Sequence, residues 1–286
     1  MPAPLPQPLK QELTGRYSYM QADVTQRPAI EGAVESFQPD FLVHLASGLS
    51  GDAAPDLISN NIDSIRNLID ALQRANRSKA KLVLASSAAV YGTANGAEFP
   101  QRESGPCHPV GDYGRIKVLA EEAALDAVHA LGTPVAILRI FNVIGPGQSE
   151  RHVAGRAAAQ FAAVKYGGKG TLELGYLHCT RDFIDVRDVA QGLTLAAVRG
   201  GGILNLGTGR ERPVSDLITH LSRLSGVSIL PTGVPDILPG VERSVADIAR
   251  MCALGFTQRF PFLESIRDLW AYYSALWRST GPSRPQ

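Results

Sequence analysis

Scarcity sets the first limits on this sequence. Cysteine is rare: Cys107, Cys179 and Cys252 are odd in number and far apart. They offer neither a disulfide framework nor a CxxC metal pair, which implies a reducing, cytoplasmic setting. An excess of either charge is missing too. Lys and Arg total 28 against 27 Asp and Glu, a net +1, so no electrostatic case arises for nucleic acid or an anionic membrane. No apolar run approaches the roughly 20 residues that a membrane helix needs. The six His are scattered, and no His/Cys/Asp group has metal-ligand spacing, so no metal is expected. The opening stretch lacks the apolar core of a signal peptide. It carries Pro at 2, 4, 6 and 8, which predicts an extended, poorly ordered start.

What is present is an alternation of strand and helix patterns. Residues 16–24 alternate well enough to predict a strand ending at Asp23. The apolar run 41–47 predicts a strand buried on both faces. Residues 55–75 repeat apolar side chains at helical spacing, opened by Pro55. A third strand is expected at 81–87 and a helix at 112–132, stopped by Gly132. This helix is apolar nearly all the way round, which asks for cover on more than one side. Residues 135–145 predict another strand, after which the alternation weakens. One more strand, 202–207, precedes a helix over 214–225. The glycine cluster 167–170 lacks phosphate-loop spacing and reads as a turn, and the tail 279–286 as frayed.

Strand and helix in turn, with short links, predict a parallel sheet covered on both faces. Ligands then bind beyond the carboxyl ends of the strands. Those ends carry Asp23, Ala46-Ser47-Gly48, Ser86-Ser87 and Asn142.

Tyr113 and Lys117 form Y-x-x-x-K at the start of a predicted helix, so both lie on one face. At roughly 5 Å and an effective dielectric of about 20, an ammonium favours a phenolate by about 3 kcal/mol. That equals about 2.4 pKa units, and a phenol so tuned can exchange a proton with a substrate hydroxyl. The spacing alone also fits an ordinary exposed helix pair. Its place after a strand ending in Ser86-Ser87 is what draws attention to it.

Several ordered motifs carry a resemblance. They are Val43-His44-Leu45-Ala46, Asn60-Asn61 with Asn67, Ser87-Ala88-Ala89-Val90-Tyr91-Gly92, and Tyr113 with Lys117. Arg139 to Gln148, Thr180-Arg181-Asp182 to Asp188, and Asn205 to Gly209 complete the set. Together they resemble extended short-chain dehydrogenases/reductases, in the nucleotide-sugar epimerase/dehydratase/reductase branch. The stretch 145–167 followed by 180–186 is most similar to GDP-4-keto-6-deoxy-mannose reductases.

The resemblance implies roles. Tyr113 would be the acid/base. Lys117 would lower its pKa and hold the nicotinamide ribose, and Ser87 would hydrogen-bond the reacting oxygen. Asp23 and Val24 would contact adenine. Leu45, Ala46, Ser47, Ser86 and Phe141 would line an NAD or NADP cofactor, with Asn61 backing the strand ends. Asn142, Arg181 and Arg243 would contact the nucleotide-sugar, Arg181 at its diphosphate. Family members pair through two helices, which here implies a homodimer through 55–75 and 112–132.

Two departures qualify this. Ala88 and Ala89 stand where the dehydratases of the branch place an acid and a base, so dehydration is not expected. A 4-keto reductase or a 4-epimerase remains. Second, the chain begins near the family's third strand, without the Gly-rich turn that cradles pyrophosphate. Residues 48–54 fit G-x-x-G-x-x-A formally, as a weak stand-in.

The expected fold is therefore α/β: a Rossmann-type parallel sheet, N-terminally incomplete, with a smaller C-terminal substrate lobe. Residues 1–145 plus the strand near 202–207 would form the cofactor domain and 146–286 the lobe. With the pyrophosphate turn missing, NAD(P) is expected to bind poorly, and a non-catalytic pseudoenzyme or inactive truncated chain is the rival reading.

Overall fold

A computed structural model describes residues 15–49, 51–93, 99–167, 177, 179–228 and 241–280. The proline-rich start, residues 168–170 of the glycine cluster and the tail from 281 lie outside the described residues.

Among the described residues seven strands follow in chain order: β1 (Phe41–His44), β2 (Lys81–Ser87), β3 (Val135–Ile140), β4 (Asn142–Ile144), β5 (Thr180–Asp185), β6 (Gly202–Leu206) and β7 (Glu211–Pro213). The α-helices are α1 (Arg27–Phe37), α2 (Ala54–Ile58), α3 (Ser64–Arg74), α4 (Gly111–Leu131), α5 (Val153–Lys165), α6 (Val186–Arg199), α7 (Val214–Ser225), α8 (Ala249–Ala253) and α9 (Phe262–Thr280). One sheet has the order β1-β2-β3-β6, all parallel. The other, β4-β5-β7, has a parallel and an antiparallel pair.

Over β2 and β3 the larger sheet is covered on both faces, as buried parallel strands are. Leu82, Leu84, Val135 and Ile137 pack on Ile65 and Ile69 of α3 and on Ala120, Ala124 and Ala127 of α4. On the other face, Val83, Ala136 and Leu138 meet Val189, Leu193 and Ala196 of α6, with Met251 and Phe256 alongside. A separate core joins α5, α7 and α9 around Phe161, Leu217, Ile266 and Leu269. Gly132 ends α4 in a left-handed conformation, φ 67°, where glycine is at home.

Several expectations change. Residues 17–23 form no strand. Ala22 and Val24 instead pack on the α1/α3 cluster, and Asn67 Nδ2 donates to the Val24 and Thr25 carbonyls. Only this end of the segment packs, while Tyr17, Tyr19 and Met20 are exposed. The strand at 41–47 is shorter and covered on one face only. Leu42 and His44 turn inward, while Phe41, Val43 and Leu45 are 50%, 41% and 59% exposed. The helix over 55–75 is interrupted by a π-turn at Ser59–Asp63. The run 135–145 splits at Phe141 between the two sheets. The weak alternation after 147 concealed α5, β5, α6 and α9, because alanine-rich and mixed helices carry little apolar periodicity. Helix α1 was not expected either.

Candidate active site

The strand ends converge beside the first turns of α4. β2 finishes at Ser86 and Ser87 and runs directly into a 3₁₀ turn, Ala88–Val90. Ser87 caps that turn, its Oγ accepting from the Ala89 N–H at 3.2 Å. Helix α4 comes down closely on the same turn. A Cβ on Gly114 would lie 2.7 Å from the Ala89 carbonyl oxygen, so only glycine permits the approach. Tyr113 is thereby brought beside Ser87, whose hydroxyl draws the phenol pKa down. One helical turn on, Lys117 Nζ donates to the Ala85 carbonyl at 3.1 Å and stands 5.8 Å from the Tyr113 ring centroid.

The electrostatics reverse one expectation. Burial pushes the Tyr113 phenol above its ordinary value, and the nearby Ser87 hydroxyl only partly offsets this. Lys117 does not bring it down. Its ammonium lies against the ring and is turned to the Ala85 carbonyl. Burial also weakens its own charge, bringing its pKa down to about 8. At neutral pH the pair is therefore a phenol beside an ammonium, equipped to give a proton.

The π-turn supplies the neighbouring wall. Its extra residue turns Asn61 inward, where only 2% of it stays exposed. Asn61 Nδ2 donates to the Leu57 carbonyl at 2.8 Å, and its Oδ1 accepts from Ser47 Oγ at 2.8 Å. His44, on the covered face of β1, shares a 3.0 Å hydrogen bond with Ser64. Burial, and then the Lys117 charge, pull the His44 pKa to about 4.

Ser47, Asn61, Ser86, Ser87, Tyr113 and Lys117 thus gather at the carboxyl ends of β1 and β2. Phe141 is buried beside Tyr91, ring centroids 6.2 Å apart. Leu45 and Ala46 are exposed at the end of β1. Asp23 is exposed and accepts from the Thr25 N–H and hydroxyl at 2.9 and 2.7 Å. Val24 is half-buried next to it.

Asn142 opens β4, paired with Phe183. Arg181 Nη1 donates to the Thr180 carbonyl at 2.7 Å, and Arg243 grips both Glu211 oxygens at 2.7 Å while covering the Phe99 ring. No hydrogen bond among the described residues joins these last three to the Tyr113 group. The loop 48–54 argues against a phosphate role. Asp52 takes the Leu49 N–H at 2.6 Å and pairs with Arg151 at 2.8 Å, placing a carboxylate where an anion would have to enter.

Glu121 and Arg139 escaped the sequence reading. Both are buried, and Arg139 donates to both Glu121 oxygens at 2.7–3.1 Å, while Ser86 Oγ donates to the same carboxylate. Two signals pointed to them. Glu121 continues the four-residue spacing of Tyr113 and Lys117, and an arginine inside the apolar run 135–141 demands a buried acid.

Comparison with known proteins accords with this geometry. Over 242 residues the chain is 33% identical to the dTDP-6-deoxy-L-talose 4-dehydrogenase (NAD(P)(+)) of Kitasatospora kifunensis, covering 82% of this chain and 76% of that protein. It is 33% identical over 199 residues to the GDP-6-deoxy-D-mannose reductase of Pseudomonas aeruginosa, covering 67% and 65%. It is 28% identical over 292 residues to a probable UDP-arabinose 4-epimerase of Arabidopsis thaliana, covering 94% and 69%. The solved structure of RMD from Pseudomonas aeruginosa complexed with NADPH has the same fold, with a TM-score of 0.83 at 24% identity over 94% of this chain and 95% of that one. The model of the NAD-dependent epimerase/dehydratase family matches residues 5–207. With most of its length matched and its strand-end geometry intact, the chain belongs to the NAD-dependent epimerase/dehydratase family.

Proposed function

We propose that this chain is an NAD(P)-dependent nucleotide-sugar oxidoreductase working at sugar C4, in the sense of a 4-keto-6-deoxyhexose reductase. The observation that carries the direction is Tyr113, a half-buried phenol held protonated beside Ser87. Reducing a ketone requires a proton donor at the carbonyl oxygen, and a protonated phenol is one. The similarity to the 6-deoxyhexose reductase and dehydrogenase supports the same reading. A 4-epimerase is the second reading, favoured by the similarity to the UDP-arabinose epimerase. Dehydration has no support. Ala88 and Ala89 form the turn beside Ser87, and neither can move a proton.

The residues present fit the nicotinamide ribose end of a dinucleotide. Lys117 has three donors, one of them directed at the Ala85 carbonyl, with the Tyr113 and Ser87 hydroxyls beside it. The pyrophosphate end is less provided for. Among the described residues no Gly-rich turn joins a strand to a long helix. Either NAD or NADP supplies hydride when bound. Ser87 orients the substrate oxygen, Tyr113 gives or takes the proton there, and Lys117 holds the ribose and keeps a positive charge nearby. Asp23 and Val24 face the adenine end, and Leu45, Ala46, Ser47, Ser86, Asn61 and Phe141 line the cofactor. Asn142, Arg181 and Arg243 serve the nucleotide-sugar.

In this reading residues up to 145, with β6, hold the cofactor and the remainder holds the sugar nucleotide. A homodimer forms through α2–α3 and α4. The exposed Ile58, Leu119, Val128 and Leu131 on those helices support this. Among the described residues no helix is long and apolar enough to cross a membrane, and a cytoplasmic location suits the cofactor.

The test combines the chain with NADH or NADPH and a GDP- or dTDP-4-keto-6-deoxyhexose. Loss of reduced-nicotinamide absorbance is expected. Interconversion of a UDP-sugar and its C4 epimer without net cofactor oxidation favours the epimerase instead. Absence of both reactions, with no dinucleotide bound, returns the non-catalytic reading.

A further inference from the structure

We propose that Glu121 is a positioning residue of the site, which holds the Lys117 ammonium in its charged form and ties the end of β2 to the catalytic face of α4. The proposal rests on the reading of Tyr113 and Lys117 given above. Tyr113, Lys117 and Glu121 are spaced by fours, so they line one stripe of α4. Lys117 and Glu121 are 4% and 3% exposed, so little solvent screens one from the other.

The surroundings of Lys117 leave that task to Glu121. From α4 it meets Tyr113, and from β2 the Ala85 carbonyl, which offers only a dipole. From β1 comes His44, a ring that stays neutral and whose own pKa the ammonium depresses. Asn61 and Ser47 on the π-turn side are uncharged. Arg139 from β3 bears a positive charge but spends it on Glu121. Cys107 and Tyr91 face Arg139 from beyond the pair. Among these groups Glu121 is the one anion acting on Lys117, and its pull counters the burial that weakens the ammonium.

The carboxylate is itself fixed. Two Arg139 nitrogens and the Ser86 hydroxyl donate to it, and Arg139 Nη1 also donates to the Glu103 carbonyl at 3.3 Å. β2 and β3 are in register with Ser86 opposite Arg139, so a single acid on the helix clasps both strand ends. Ser87, the next residue, is placed by the same clasp. Arg139 supplies the opposite charge and the hydrogen bonds that a buried carboxylate needs.

The chain has six lysines, so ¹³C-labelled lysine with a Lys117→Arg variant for assignment allows Lys117 to be titrated by NMR without cofactor or substrate. The wild-type ammonium is expected to titrate near pH 8. Glu121→Gln is expected to lower that midpoint by about one unit. Because Glu121→Gln strands a buried arginine, the deciding variant is the double change Glu121→Gln with Arg139→Met, which removes both charges together. A smaller downward shift is expected there, because the Arg139 charge that also disfavours the ammonium is gone, and Glu121→Asp, which keeps the charge, is expected to stay near the wild-type midpoint. An unchanged Lys117 midpoint in the double variant overturns the proposal. So does a shift that Glu121→Asp reproduces, since packing alone then moves the ammonium. The titration needs no turnover, so its failure is distinct from a failure of the reductase reading.

Discussion

The four-stranded sheet is finished differently at its two edges, and the proposed cofactor-lining residues Leu45 and Ala46 lie at the barer one. At the β6 edge the backbone is provided for. Glu103 accepts the Asn205 N–H at 2.9 Å, Arg250 donates to the Ile203 carbonyl at 3.1 Å, and the Asn205 amide donates to Gln101 and Asp247 carbonyls. Met251 and Phe256 cover the face beside it. At the β1 edge no side chain among the described residues bonds the backbone of 41–45, and three apolar side chains stand in solvent. Of the residues proposed to handle the proton, Ser87 ends β2, one strand in from the open edge, and Tyr113 and Lys117 come from α4. Leu45 and Ala46, proposed to line the cofactor, follow the open strand itself. The proposed chemistry is preassembled on β2 and α4, whereas the proposed cofactor lining at Leu45 and Ala46 lies at an edge whose backbone has no side-chain partner among the described residues.

The sharpest way to break this division is at Tyr113. Tyr113→Phe should lower the chemical rate by roughly 100-fold or more while substrate binding changes little, the usual scale of a general acid. Rapid-mixing measurement of reduced-nicotinamide loss reads the step directly. Near-normal turnover in the Phe variant would place the proton elsewhere, and the preassembled half would lose its purpose.

A second prediction concerns His44, which joins the open strand to the covered face. The folded ring stays neutral down to about pH 4, whereas the unfolded ring takes a proton near 6.5. Its contribution to stability is therefore intact above pH 6.5 and drains as the pH falls toward 4. The full loss is about 3 kcal/mol over that window. Urea titrations from pH 7 to pH 4 should show this slope, and His44→Gln should flatten it. An equal slope in the variant assigns the acid sensitivity to other groups.

Much of this architecture is legible in the sequence, and the misses have physical causes. β2, α4 and α7 follow from apolar spacing and from Gly132 because their neighbours reward the local pattern. Residues 17–23 have the pattern of a strand, but a strand exists only where another supplies its hydrogen bonds. Ser87, Tyr113 and Lys117 were visible as a motif, yet the direction of the Tyr113 shift was not. Coulomb's law at an assumed distance omitted the burial that dominates it. Glu121 was hidden because its partner Arg139 is 18 positions away, and only the fold joins them.

The third test strips the finished edge. Glu103→Ala leaves the Asn205 N–H without its acceptor, a buried group whose exposure to no partner costs about 1–3 kcal/mol. Glu103→Gln, which keeps an acceptor oxygen, should recover most of that loss in denaturant titrations. Arg250→Ala should cost less, because its guanidinium is more than half exposed.

The smallest effect on stability is expected at the open edge, and it carries the most information about what that edge is. Val43 and Phe41 are exposed on a strand whose outer side pairs with no other strand among the described residues, so a lysine there removes little buried contact. Val43→Lys should change folding stability by about 0.5 kcal/mol or less, as exposed substitutions do. Its effect should appear in association. A flat apolar edge pairs with the edge of another molecule, and natural sheets deter this with an edge lysine. Light scattering should show slower aggregation for Val43→Lys at equal protein concentration, with the Lys117 titration unchanged. The same substitution would cost several-fold more stability if β1 were covered in solution. A large loss would mean that Phe41, Val43 and Leu45 are buried against another surface, and that both edges are finished after all.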